Sequence, residues 1–226
     1  MARRLHFRIC CEKLLVRELE KIYQTLYSHY DDLKWWPAAS IFEVIVGAIL
    51  TQNTAWTNVE KAMERFEGNL SPSRILNLPI DELQEIIRPA GFYRQKSQYL
   101  KAVTEWFMGY DGDIDLIKNY SLQDIRAELL KVRGVGNETA DSILLYAFDL
   151  PSFVVDAYTM RLFRRYPIDA GKTYLEVKTF CEEALPRDAK VYNHFHALIV
   201  HNGKEHCKKK MACSGCPLEE FCQKLP

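Results

Sequence analysis

No uninterrupted apolar run in this chain approaches the roughly 18 residues that a membrane-spanning helix needs. The first residues, MARRLHFRICC, are basic but lack an apolar segment followed by a cleavage site, so no secretory signal is read there. Charge of one sign is missing too. Lys plus Arg number 30 and Asp plus Glu number 30, so any nucleic-acid surface has to be local. A disulfide framework is also absent from the pattern, because Cys10, Cys11 and Cys181 are scattered, which fits a reducing compartment. There is no low-complexity tract, no repeat with a period of roughly 20–50 residues, and no convincing alternating strand. These absences predict a soluble, cytoplasmic protein with no membrane partner.

What is present is helical. The chain has 226 residues, 48% of them hydrophobic, enough for the core of one large domain or two small ones. Apolar residues recur at three and four from Leu14 to Tyr27. Ser40 with Glu43 caps the apolar body IFEVIVGAIL. Further helices are predicted at Thr57–Phe66, Ile80–Ile87, Gln95–Phe107, Leu122–Val132 and Glu138–Phe148, then Ala157–Arg165, Tyr174–Ala184 and Val191–His201. Ser71-Pro72 and Leu78-Pro79 read as loops, and Gly109 to Gly112 as a turn. The expected fold class is all-α.

Two motifs carry chemistry. Cys207, Cys213, Cys216 and Cys222 form a C-x5-C-x2-C-x5-C run whose central pair can place two thiolates on one metal centre. The loop is too short and polar to bury a core, so a ligated centre is an economical way to order it. Zinc and an iron–sulfur cluster both suit four thiolates. Upstream, Gly134-Val135-Gly136 breaks two helices, and a glycine turn before a helix start can offer amides to a phosphate without reading base sequence. Asp156 follows twenty residues after Gly136 and by itself reads as the cap of the helix from Ala157.

The hairpin with Val154-Val155-Asp156-Ala157-Tyr158-Thr159-Met160-Arg161, the stretch from His194 to Gly203 and the four cysteines resemble the helix-hairpin-helix DNA glycosylases of the endonuclease III superfamily. The first cysteine gap is one residue shorter than the family's usual spacing. The resemblance implies two helical lobes: a six-helix domain at 33–150 with the hairpin at about 122–148, and a terminal domain of 1–32 plus 151–226 carrying the loop 207–222. It implies a [4Fe-4S] cluster on Cys207, Cys213, Cys216 and Cys222, and a monomer acting on double-stranded DNA that contains damaged bases. It also places Asp156 at the mouth of a pocket between the lobes, where a carboxylate stabilises an oxocarbenium-like sugar or orients water.

Members that also cut the backbone carry a lysine just after the hairpin, and the matching position here is Glu138. Base release by water, leaving an abasic site, is therefore expected. Trp35-Trp36-Pro37, the segment Leu50 to Trp56 and the segment Arg88 to Lys96 resemble the 3-methyladenine glycosylase branch. That likeness makes Trp35, Trp36, Pro37 and Trp56, with Glu138, the candidate base pocket, since aromatic faces favour a cationic alkylated purine. It makes Gln52 the plug left behind by a flipped base and Phe92 a wedge in the opposite strand. Gly134, Val135 and Gly136 with Lys208, Lys209 and Lys210 are the expected phosphate contacts; the run Arg161, Arg164 and Arg165 is a second candidate DNA-binding stretch, and a solvated face is the plainer reading of either charge run. The chain ends four residues after Cys222, which argues against the extra recognition domain of the adenine-specific branch. Two other readings stay open: the same fold acting on oxidised pyrimidines or mismatched bases, and a non-catalytic DNA-binding module with structural zinc.

Overall fold

The computed structural model describes residues 2–33, 36, 38–166 and 168–225, and side chains only from residue 16 onward. No strand occurs among the described residues, and none of their helices is long and apolar enough to cross a membrane. The chain divides into two compact units, Trp36–Leu150 and Met1–Trp35 with Pro151–Pro226.

The first unit is built around α2, Ile41–Leu50, of which eight residues are buried. Its start follows from chemistry within four residues. Ser40 Oγ accepts the Glu43 N–H at 3.2 Å, and Glu43 Oε2 accepts the Ala39 N–H at 2.6 Å. Around it lie α3 (Trp56–Glu64), α4 (Pro72–Asn77), α5 (Ile80–Ile87), a 3-10 turn (Arg88–Ala90) and α6 (Tyr93–Met108). Next come α7 (Ile114–Lys118), α8 (Leu122–Leu129) and α9 (Asn137–Ser142), which runs into a π-helical turn at Ile143–Ala147. Helix α2 packs on α6 and on the π turn, and Ile45, Ile49 and Leu50 are wholly buried there. Each such side chain contributes about 1.5–3 kcal/mol on leaving water.

The second unit holds α1 (Ala2–Tyr30), α10 (Ala157–Arg165), α11 (Tyr174–Ala184) and α12 (Ala189–Glu205). Helix α12 packs against both α1 and α10.

Three expectations change and one helix is new. Ser71-Pro72 begins a helix, because Ser71 Oγ accepts the Arg74 N–H and proline is favoured in a first turn. Helix α7, capped by Asp113, had no expectation at all. The predicted helix Leu122–Val132 stops at Leu129, where the hairpin turn begins. The predicted Glu138–Phe148 divides in two, because Phe148 N–H bonds Ile143 O, five residues back.

Candidate functional site

Residues 151–156 form neither helix nor strand and 152–155 are buried, so their backbone needs other partners, and α11 supplies them. Glu182 Oε1 accepts the Phe153 N–H at 2.8 Å. Lys178 Nζ donates to Ser152 Oγ at 2.7 Å and to Phe153 O at 3.3 Å, and is ion-paired with Glu182. This buttress delivers the chain to Asp156.

Asp156 caps α10 with one oxygen and leaves the other for different work. Oδ1 accepts the Tyr158 N–H at 2.9 Å, the Thr159 N–H at 2.8 Å and the Thr159 hydroxyl at 3.0 Å. Oδ2 faces Nε2 of His196, on α12, at 3.7 Å. Burial pushes the Asp156 pKa upward. The His196 side chain opposite and the Thr159 hydrogen bonds outweigh it, so the carboxyl titrates below the ordinary aspartate value. His196 lies forty residues from Asp156 and carried no local signal.

The hairpin joins α8 and α9. Gly134 adopts φ +86°, and a Cβ there would lie 2.1 Å from the Tyr99 ring, so both conformation and space demand glycine. Val135 is buried, and its N–H bonds Val132 O at 3.0 Å, so it shapes the turn from inside; Gly136 caps α9 and is exposed. Arg126 grips buried Asp141 through two hydrogen bonds, of 2.8 and 2.9 Å, and reaches Asn137 Oδ1 at 2.9 Å. Glu138 is exposed in the first turn of α9. Gln52 Nε2 donates to Gly134 O at 2.9 Å and to Thr139 Oγ1 at 3.0 Å, so the structure joins the candidate plug to the hairpin. Phe92 is 61% exposed.

Trp36 stacks on Tyr146 at 4.8 Å and meets Trp56 edge-on at 5.2 Å. Both indoles lie beside Gly47, where a Cβ would make ordinary contact with Trp36 at 3.4 Å and Trp56 at 3.5 Å. The Trp36 indole N–H is buried with no hydrogen-bond partner among the described residues. Trp35 and Pro37 lie outside the described residues. Tyr146, on the π turn, is an aromatic wall that sequence reasoning missed; a π turn often marks functional ground, but the periodicity concealed it.

Cys207, Cys213, Cys216 and Cys222 line one cavity with Arg165 and Asn202. Burial and the proximity of the other thiols raise the Cys216 pKa; burial also raises that of Cys222. Among the described residues no three His, Cys, Asp or Glu side chains converge tightly enough to hold a single metal ion. Arg165 Nη1 lies 3.3 Å from Cys207 Sγ, and its buried Nε has no hydrogen-bond partner among the described residues. Four thiols and an unsatisfied guanidinium donor fit an anionic thiolate-ligated centre.

Two of the three arginines read as a DNA-binding stretch or a solvated face bind the loop. Arg161 Nε donates to Cys207 O at 2.5 Å, and Arg165 donates to Lys208 O at 2.7 Å and Lys209 O at 3.1 Å. The side chains of Lys208, Lys209 and Lys210 remain exposed.

The sequence model that matches residues 46–187 describes the HhH-GPD superfamily of base excision DNA repair proteins. A protein of Methanocaldococcus jannaschii assigned as a DNA repair glycosylase is 48% identical over 89% of this chain and 94% of its own. Among solved structures, endonuclease III in a non-covalent DNA complex superimposes with a TM-score of 0.79 at 24% identity, covering 92% of this chain and 95% of that one. The H. pylori 3-methyladenine DNA glycosylase bound to 1,N6-ethenoadenine gives 0.70 at 26% identity, over 86% and 97%.

Proposed function

Since the chain belongs to the HhH-GPD superfamily of base excision DNA repair proteins, we propose that it is a DNA glycosylase that hydrolyses the N-glycosidic bond of alkylated purines in duplex DNA and leaves an abasic site. The observation that carries this reading is Asp156. One oxygen of a single carboxylate is spent on the helix cap, while the other stays ionised opposite His196. A fixed anion of that kind stabilises the positive charge that grows on the sugar as the base departs, or aligns the attacking water.

The purine preference rests on the aromatic cluster of Trp36, Trp56 and Tyr146, since aromatic rings attract a cationic base. Alkylation at N3 already weakens the glycosidic bond, so little acid catalysis is required. The likeness to the H. pylori 3-methyladenine enzyme agrees with that choice. Hydrolysis without strand cleavage rests on Glu138 at the place where a lysine would attack the sugar. Gln52 is assigned as the plug and Phe92 as the wedge; the glycine hairpin and Lys208 to Lys210 are assigned to phosphates.

The four cysteines, which line one cavity, are assigned to a [4Fe-4S] cluster on the resemblance to the iron–sulfur glycosylases. When bound, such a centre orders the loop that carries the lysines. A brown preparation with broad visible absorption is expected, and a colourless one with stoichiometric zinc would overturn the assignment.

The test of function is a panel of duplexes bearing methylated purine, thymine glycol or a T:G mismatch, each assayed with and without alkali. Release of 3-methyladenine with strand scission only after alkali is expected. Absence of alkylpurine release, or scission without alkali, rejects the specificity or the hydrolytic outcome respectively.

A further inference from the structure

Lys96 is a cationic side chain buried to 1% exposure, with no ion-pair partner among the described residues. An amine so placed is costly unless its protons are well used. Its Nζ donates to Leu50 O and to Ala90 O, both at 2.8 Å. Leu50 is the last residue of α2, two before Gln52, and Ala90 ends the 3-10 turn, two before Phe92. Both carbonyls belong to helix ends, where acceptors lack partners within the helix and a cation is favoured.

The turn beyond Ala90 needs restraint. Gly91 and Phe92 are consecutively left-handed, at φ +69° and +46°, a conformation that costs free energy at the phenylalanine. The Phe92 carbonyl accepts the Lys96 N–H at 3.0 Å, so backbone and side chain of one lysine hold the two carbonyls that bracket Gly91. Gln52, beyond the other carbonyl, is held in turn by Gly134 and Thr139. Burial pulls the Lys96 pKa down to about 8, and both protonation states keep enough N–H donors for the two carbonyls.

We propose that Lys96 is a positioning residue that locks the turn bearing Gln52 to the turn bearing Phe92, so that plug and wedge enter the duplex at a set separation. The proposal rests on the assignment of those two residues as plug and wedge. It predicts a specific loss: base extrusion suffers, while chemistry on a base that needs no extrusion does not.

The experiment measures single-turnover release of 3-methyladenine from two duplexes, one with the lesion paired and one with it opposite an abasic-site analogue. In Lys96→Met the paired rate should fall roughly tenfold to a hundredfold, the range expected for leaving buried carbonyls unsatisfied in an extrusion-competent state. The rate opposite the abasic analogue should match the wild type. Lys96→Gln, whose amide reaches one carbonyl, should lie between them and provides a second readout where Lys96→Met folds poorly. Circular dichroism at the assay temperature establishes that each variant is folded. Equal slowing on both duplexes, or none on either, overturns the proposal. Gln52→Ala and Phe92→Ala should reproduce the paired-only loss. If they do not, the plug and wedge assignment itself is wrong, independently of the Lys96 result.

Discussion

Replacing Asp156 by asparagine removes a charge and retains a cap, and so separates the two jobs of this side chain. Asn and Asp are near-equal N-caps, and the amide oxygen can still accept from Tyr158, Thr159 and the Thr159 hydroxyl. At neutral pH Asp156→Asn should therefore lose in urea only what the charge itself contributes, and less than Asp156→Ala loses. Asp156→Ala loses the cap and leaves the Thr159 hydroxyl, on a fully buried residue, without its acceptor, costing about 1–3 kcal/mol. Excision should behave differently. Both variants lose the anion proposed to act on the sugar, and a drop on the order of 10²–10³-fold is the usual scale for removing one charge-stabilising group. The readout is single-turnover base release at saturating enzyme, beside binding to abasic DNA, which Asp156→Asn should retain. Wild-type rates from a folded Asp156→Asn would refute the assignment of catalysis to this carboxylate. The pH dependence supplies a sign check. The folded-state pKa of Asp156 lies below its unfolded value, so the stability it contributes is present above the unfolded pKa and lost as pH falls through the folded one. Asp156→Asn should flatten that part of the acid unfolding curve.

Exchange of His196 for glutamine should leave burial as the dominant influence on Asp156, so the acid limb of kcat/KM moves to higher pH; an unmoved limb assigns His196 to packing alone. Gly134→Ala must fit a Cβ 2.1 Å from the Tyr99 ring at φ +86°, and urea unfolding should show a loss of about 2–4 kcal/mol. Joint replacement of Lys208, Lys209 and Lys210 by alanine should weaken binding to every duplex and lower the slope of log K against log salt by about 3; loss of excision at saturation with intact binding contradicts a phosphate role. Cys216→Ser should bleach the visible absorption and loosen the lysine loop, read as faster proteolysis between Cys207 and Cys222, and an unbleached variant would point to other ligands.

Features whose cause lies within a few residues were legible in the sequence. Boundaries of α5, α10 and α11 agree with expectation because caps, prolines and glycines adjoin them, and the Ser40 cap forms with the partner predicted. Helix α4 was lost because Ser-Pro signals a loop and a helix start alike, and α7 because five residues display too little periodicity.

The sequence by itself determined the helical class, the glycine turn, the four-thiol run and the place of Asp156 at the head of a helix, since each depends on short-range spacing. Only the tertiary structure set His196 against Asp156, joined Leu50 to Ala90 through Lys96, and turned Arg161 and Arg165 inward onto the cysteine loop. The physical reason is desolvation. A buried charge takes whichever partner the packed core brings within about 3 Å, and that choice is made by segments forty or more residues away, which no local pattern records.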